Sequence, residues 1–177
     1  LNPALAGRAI LLASYATAMT TWTLPSSKKE LADVISTATP LQIMKEGTVE
    51  KFAELTTNYT VGDMFIGRIG GSLGEVSALA LLLGGAWLLI RKVISWHTPV
   101  AFIGTVAILT LISAPAGIDN VQYMLYNVFG GGLMLGAFFM ATDYATSPVT
   151  KPGQLIFGIG CGLITCFIRR FGSYPEG

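Results

Sequence analysis

Thr39 stands in the octapeptide Asp33-Val34-Ile35-Ser36-Thr37-Ala38-Thr39-Pro40, a polar stretch between two apolar runs. A residue before proline is pushed toward extended backbone, and proline is favoured at the first helical position. Thr39 is therefore an expected N-cap, and Gln42 three residues on completes a capping box. The same geometry suits a second chemistry. A phosphate on Thr39 would sit at a helix N-terminus, where free N–H groups and the helix dipole favour an anion. Ser36, Thr37 and Ala38 are small and leave room for a modifying enzyme. Glu75 follows Gly70, Gly71 and Gly74 in a flexible turn. It reads either as an acidic first turn of a helix or as a polar partner to a bound group. Asp143 ends an apolar run beside Thr142. An acid at membrane depth is costly and usually functional, so ion handling is its functional reading and capping of the next turn its structural one. Arg8, one turn into the first apolar run, either snorkels to the interface or contacts a bound group.

Other reactive residue types carry less. Cys161 and Cys166 lie five apart in one apolar run and suit neither a metal site nor a disulfide framework. They read as small packing residues. His97 beside Trp96 reads as a membrane-interface residue. Asn58-Tyr59-Thr60 matches a glycosylation sequon, a frequent chance match.

The elements that must position these groups are membrane helices. Of 177 residues, 52% are hydrophobic and only 12% charged, with mean hydropathy +0.61. A soluble domain carries roughly 25% charge. The net charge of +1 suggests no nucleic-acid partner. Five apolar runs stand out: residues 4–22, 73–90, 99–114, 121–141 and 154–168. A span needs about 17 to 25 apolar residues, so three runs are at the short end, which fits tilted, broken or shielded helices. Glycines such as Gly84, Gly85, Gly130, Gly131, Gly132, Gly158 and Gly162 suggest close helix contacts. The division is residues 1–22 as one transmembrane helix, 23–72 as a large loop, and 73–177 as four further helices with short loops. The large loop holds six of the ten acidic residues. Within it Leu41, Met44, Phe52 and Leu55 form part of an apolar stripe that predicts a short amphipathic helix after Pro40, weakened by Gly47.

Arg91, Lys92 and His97 share one short loop and Lys151 lies in another, whereas Asp119 is the only charge in the loop between. The positive-inside rule puts 91–97 and 142–151 in the cytoplasm. Parity then puts 23–72, with Thr39, on the outer side. Arg169 and Arg170 fall outside too, against the rule. The chain runs from Leu1-Asn2-Pro3 straight into an apolar run and stops in a loop, so it reads as an internal portion of a longer membrane protein.

The series of segments is more specific than any one of them. Ser36–Thr39 resembles the Ser-Gly-Ala-Thr type signal at which a flavin transferase esterifies FMN to threonine. Asn2-Pro3-Ala4-Leu5-Ala6-Gly7-Arg8 precedes it, and residues 71–80 (Gly-Ser-Leu-Gly-Glu-Val-Ser-Ala-Leu-Ala) follow. Phe139-Met140-Ala141-Thr142-Asp143, Ser147-Pro148-Val149-Thr150 and Tyr174-Pro175-Glu176-Gly177 complete the order. Over essentially its whole length the chain resembles the RnfD/NqrB family. Its RnfD member serves the Rnf complex, the ion-translocating ferredoxin:NAD oxidoreductase. The close relative, NqrB, serves the sodium-translocating NADH:quinone reductase. Thr37 replaces the more usual glycine of the flavin signal, and Tyr144 stands where proline is common. The wording of Ser147-Pro148 and residues 151–158 is nearer the Rnf member.

The resemblance implies an all-α integral membrane protein of ten spans in two five-helix halves, this portion holding the fifth to the ninth. It implies FMN on Thr39, with Ser36, Ala38, Glu75, Arg8 and Asn2 as cofactor-binding residues, and a noncovalent riboflavin within the membrane part. It implies electron delivery from a second covalently flavinylated subunit outside, contacts with other Rnf subunits and lipid, and coupling to Na⁺ or H⁺ movement. It implies the bacterial or archaeal cytoplasmic membrane. The alternatives are the quinone reductase member and, from the glycine-rich short helices alone, a solute channel or transporter.

Overall fold

The computed structural model describes residues 2–20, 40–45, 49–69 and 74–172, and among these every regular element is helical. Each apolar run of the sequence contains helix. The first is split into α1 (Pro3–Ser14) and α2 (Ala16–Thr20) at Tyr15. Asn2 starts α1, its side-chain oxygen accepting from the Ala4 and Leu5 N–H groups, with Pro3 at the first helical position. Short helices α3 (Pro40–Lys45), α4 (Val49–Asn58) and α5 (Val61–Ile66) follow, then α6 (Ala78–Ile90) and α7 (His97–Ile112). Next come α8 (Asn120–Phe129) and α9 (Leu133–Leu135), which continues as a π-helical turn to Met140. The last helix is α10 (Lys151–Phe171).

Among the described residues, only α10 is by itself long and apolar enough to cross a membrane. Its 21 residues correspond to about 32 Å, the thickness of a hydrocarbon core. Residues 120–140 reach that length as a broken pair, the two halves meeting at 63°. Helices α1, α6 and α7 are apolar but shorter.

Two apolar clusters hold the chain together. One joins α6, α7, α9 and α10 around Leu81, Phe102, Val106, Met134 and Phe138. Thr98, Phe102, Val106 and Thr110 recur every four residues along α7 and form its buried stripe. Burial leaves no unpaired hydroxyl at Thr110, which donates to the Val106 carbonyl one turn back at 2.8 Å. The other cluster sits under the large loop. Leu41 and Met44 of α3, Phe52 and Leu55 of α4 and Met64 of α5 close over Tyr126 of α8. The stripe expected after Pro40 is thus buried, but on two helices. A capping box of Thr60 and Asp63 starts α5, which makes Thr60 of the sequon a structural cap. Tyr126 donates its hydroxyl to the Tyr59 carbonyl, and burial pushes the Tyr59 hydroxyl above its ordinary pKa.

The tightest helix pair is α7 with α10. Gly158 and Gly162, one turn apart, let the backbones meet: a Cβ at Gly158 would lie 2.8 Å from the Thr98 carbonyl oxygen, and one at Gly162 would lie 2.7 Å from Thr105 Cβ. This is the small-xxx-small arrangement by which membrane helices gain contact without a hydrophobic driving force. Gly160, on another face, has nothing within 4 Å of such a Cβ. Gly158→Val is therefore expected to destabilise the protein by about 1–3 kcal/mol through overpacking. Gly160→Ala should be neutral or stabilising by up to about 1 kcal/mol. Unfolding of the purified full-length protein in detergent, followed by circular dichroism, checks both.

Candidate functional site

The candidate site gathers at the break between α8 and α9. Gly130, Gly131 and Gly132 make the break, and Gly131 adopts φ 65°, which glycine enters without the steric penalty of a side chain. A broken helix leaves carbonyls unpaired at the end of its first half and N–H groups unpaired at the start of its second. Each end meets a side chain of the matching sign.

Arg169, in the last turn of α10, turns inward and is only 8% exposed. Its guanidinium donates to the Asn127 carbonyl at 2.6 Å and, more weakly, to the Gly130 carbonyl at 3.5 Å. It thereby satisfies the negative end of α8, a cation at a helix C-terminus. At the other end Glu75, 6% exposed, packs its carboxylate against Gly132, where a Cβ would fall 2.8 Å from Oε1. Gly132 is the N-cap position of α9, so this carboxylate lies at the positive end of the second half. Arg8 of α1 donates to the same oxygen of Glu75, forming an ion pair between residues 67 apart. Asn2 Nδ2 donates to the Met140 carbonyl at 3.3 Å. Helix α1 is therefore tied to the second half-helix near both ends.

Asp143 follows that half-helix. Its N–H points to the same Met140 carbonyl at 3.4 Å, its carbonyl accepts from Ser147 N–H at 3.0 Å, and its carboxylate accepts the Thr146 hydroxyl at 3.3 Å. The structure thus brings Asn2, Arg8 and Glu75 to one half-helix and sets Asp143 in the turn at its end. Thr39, Ser36 and Ala38 lie outside the described residues. So does the Thr39 half of the expected capping box. His97 stacks on Trp96 with ring centroids 4.2 Å apart, and its Nδ1 is buried without a protein partner.

Two cavities adjoin these residues. One of about 320 Å³ lies where α1, α9 and α10 meet, with Arg8, Gly132, Thr146, Thr165 and Arg169 on its wall. A larger one of about 500 Å³ lies between α3, the end of α7 and the end of α10. Leu41 and Met44 wall it on one side, Leu109, Leu163 and Phe167 on another. Its polar end carries Lys45, Arg169 and Arg170, with no carboxylate among the described lining residues. Lys45 donates to the Gly172 carbonyl, and Arg170 to the Ser113 hydroxyl and, at 3.3 Å, to the Ser113 carbonyl.

A family model described as "NQR2, RnfD, RnfE family" matches residues 1–177. The chain belongs to the NQR2, RnfD, RnfE family. It is 48% identical over 179 residues to the RnfD subunit of the Na(+)-translocating ferredoxin:NAD(+) oxidoreductase complex of Acetobacterium woodii, covering 100% of this chain and 51% of that protein. It is 44% identical to the corresponding subunit of the proton-translocating ferredoxin:NAD(+) oxidoreductase complex of Clostridium ljungdahlii, covering 99% and 53%. The corresponding subunit of an ion-translocating oxidoreductase complex of Stutzerimonas stutzeri is 37% identical, covering 99% and 55%. The chain spans about half the length of these curated relatives. As a member of this family the chain is an all-α integral membrane protein, and its expected helical bundle is the one described above.

Arg169 and the glycine break escape a reading of the sequence. Arg169 reads there as an exposed loop charge and Gly130–Gly132 as contact glycines. The one available signal is a cation at odds with the positive-inside rule, which a cation bound to internal carbonyls need not obey.

Removing one partner of a buried ion pair leaves the other charge uncompensated. Arg8→Met is expected to destabilise the full-length protein by up to about 3–5 kcal/mol, less to the extent that Arg8 is 36% exposed. Adding Glu75→Gln to Arg8→Met should restore most of the loss. A double-mutant cycle of detergent unfolding midpoints measures the coupling; additive losses would mean the pair is not coupled.

Proposed function

We propose that this chain is part of a flavin-carrying membrane subunit of an ion-translocating ferredoxin:NAD oxidoreductase complex. The observation that supports it most is 48% identity along the whole chain to the RnfD subunit of such a complex. In this reading Thr39 carries FMN through a phosphoester, and a riboflavin is held noncovalently within the membrane part. When bound, a flavin takes up electrons singly or in pairs, and the protein positions and tunes it.

The residues present fit such groups. Pro40 starts α3 next to Thr39, and Leu41 and Met44 anchor that helix in the second cluster. A threonine so placed is fixed at its carboxyl side to the bundle. Lys45 and Arg170 supply cationic donors nearby. For the noncovalent flavin, Arg8, Thr146 and Thr165 supply donors on the wall of the smaller cavity. Glu75 holds Arg8 there through the ion pair, and Asn2 holds α1 against the second half-helix. Ser36 and Ala38 provide the small approach that the transferase needs. Other subunits, one of them itself flavinylated on the outer side, deliver the electrons. Their passage is coupled to Na⁺ or H⁺, each charge costing about 2.3 kcal/mol per 100 mV of membrane potential.

The full-length protein, made in cells with an active flavin transferase, should give a fluorescent band on a denaturing gel. Thr39→Ala should abolish it. A wild-type intact mass lacking FMN would sink this assignment. Asp143 is assigned to ion handling. Asp143→Asn should leave the band fluorescent and lower ion uptake per electron in vesicles holding the assembled complex. An unchanged ratio would leave Asp143 a turn cap.

A further inference from the structure

We propose that the 500 Å³ cavity beside α3 seats the isoalloxazine ring of the flavin carried on Thr39, with Lys45 and Arg170 against the ring's carbonyl edge. The inference rests on the flavinylation proposed above and adds where the ring goes and what tunes it.

Proximity is the first argument. Thr39 is covalently next to Pro40, the first residue of α3, and Leu41 and Met44 of that helix are both cavity wall. The helix has six residues, about 9 Å at 1.5 Å per residue. Attachment point and cavity therefore belong to one short rigid element. A group tethered so closely has an effective concentration in the millimolar range, which a free competitor must exceed.

Shape and polarity are the second. The walls are apolar, from Leu41, Met44, Leu109, Leu163 and Phe167, and the cations gather at one end only. A planar ring system with an apolar dimethylbenzene end and a carbonyl-bearing end matches that division. Charge is the third. Lys45 and Arg170 donate to neutral oxygens of Gly172 and Ser113. Their charge is therefore offered to an anionic or electron-rich edge. Charge near the flavin's carbonyl edge sets its electronics, and in a water-poor cavity that influence is stronger than in solvent. The two cations favour the reduced, negatively charged ring.

The test uses the full-length protein purified from membranes with its flavin attached. Attachment is read from the fluorescent gel band, ring burial from acrylamide quenching of the native flavin, and tuning from a redox titration. In the wild type, quenching should be several-fold weaker than after denaturation. Leu109→Phe with Leu163→Phe should raise it toward the denatured level at unchanged band intensity. Ile164→Phe, at the smaller cavity, should leave it as in the wild type. Arg170→Gln should move the midpoint potential to more negative values, and it decides the matter alone if the phenylalanine pair fails to fold. A fluorescent band with quenching and potential unmoved by these variants would overturn the ring seat while leaving the attachment intact. A stoichiometric phospholipid recovered by mass spectrometry and lost in the phenylalanine pair would likewise overturn it. A dark wild-type band would overturn both.

Discussion

The structure turns on the complementary charges at the two ends of a broken helix. Inside a bilayer no water satisfies the carbonyls and N–H groups that a break exposes. Here Arg169 takes the carbonyl end and Glu75 stands at the amide end. Glu75 is in turn charge-balanced by Arg8, so three helices and a turn distant in sequence are committed to one point. Remove either charge and the glycine break becomes an unpaired gap.

That point is also where the two apolar clusters join. The first half, α8, buries Tyr126 among α3, α4 and α5. The second half buries Met134 and Phe138 among α6 and α7. The loop helices are thus not an appendage on a membrane bundle. They share a helix with it, and the Tyr126 hydroxyl fastens that helix to the carbonyl of Tyr59. The larger cavity lies on this seam, with α3 on one side and the ends of α7 and α10 on the other.

Much of this is legible in the sequence. Hydropathy locates every apolar element, because apolar length is a strong requirement of the bilayer. It also marks residues 121–141 as one run, yet does not show a 63° bend, since three glycines suit a close contact as well as a turn. The stripe Leu41, Met44, Phe52, Leu55 announces burial correctly, while Gly47 only hints that two helices carry it. Arg8 and Glu75 each stand out, but their pairing depends on the approach of segments 67 residues apart, which no local pattern encodes. Arg169 is hidden for the same reason: its partners are backbone carbonyls, and carbonyls carry no sequence signature.

The bond from Arg169 to α8 has a consequence for biogenesis. Its acceptors, Asn127 and Gly130, precede it by 42 and 39 residues. During synthesis the segment 120–140 therefore enters the membrane before the group that stabilises its break exists. Until α10 emerges, the lower-energy form of that segment is an unbroken helix with its carbonyls bonded internally. The break, the seam between the clusters and the cavities beside it are completed only when the last helix docks through Gly158 and Gly162. Maturation of the site is thus ordered by the direction of translation, and a chain arrested before α10 holds the right residues in the wrong helix.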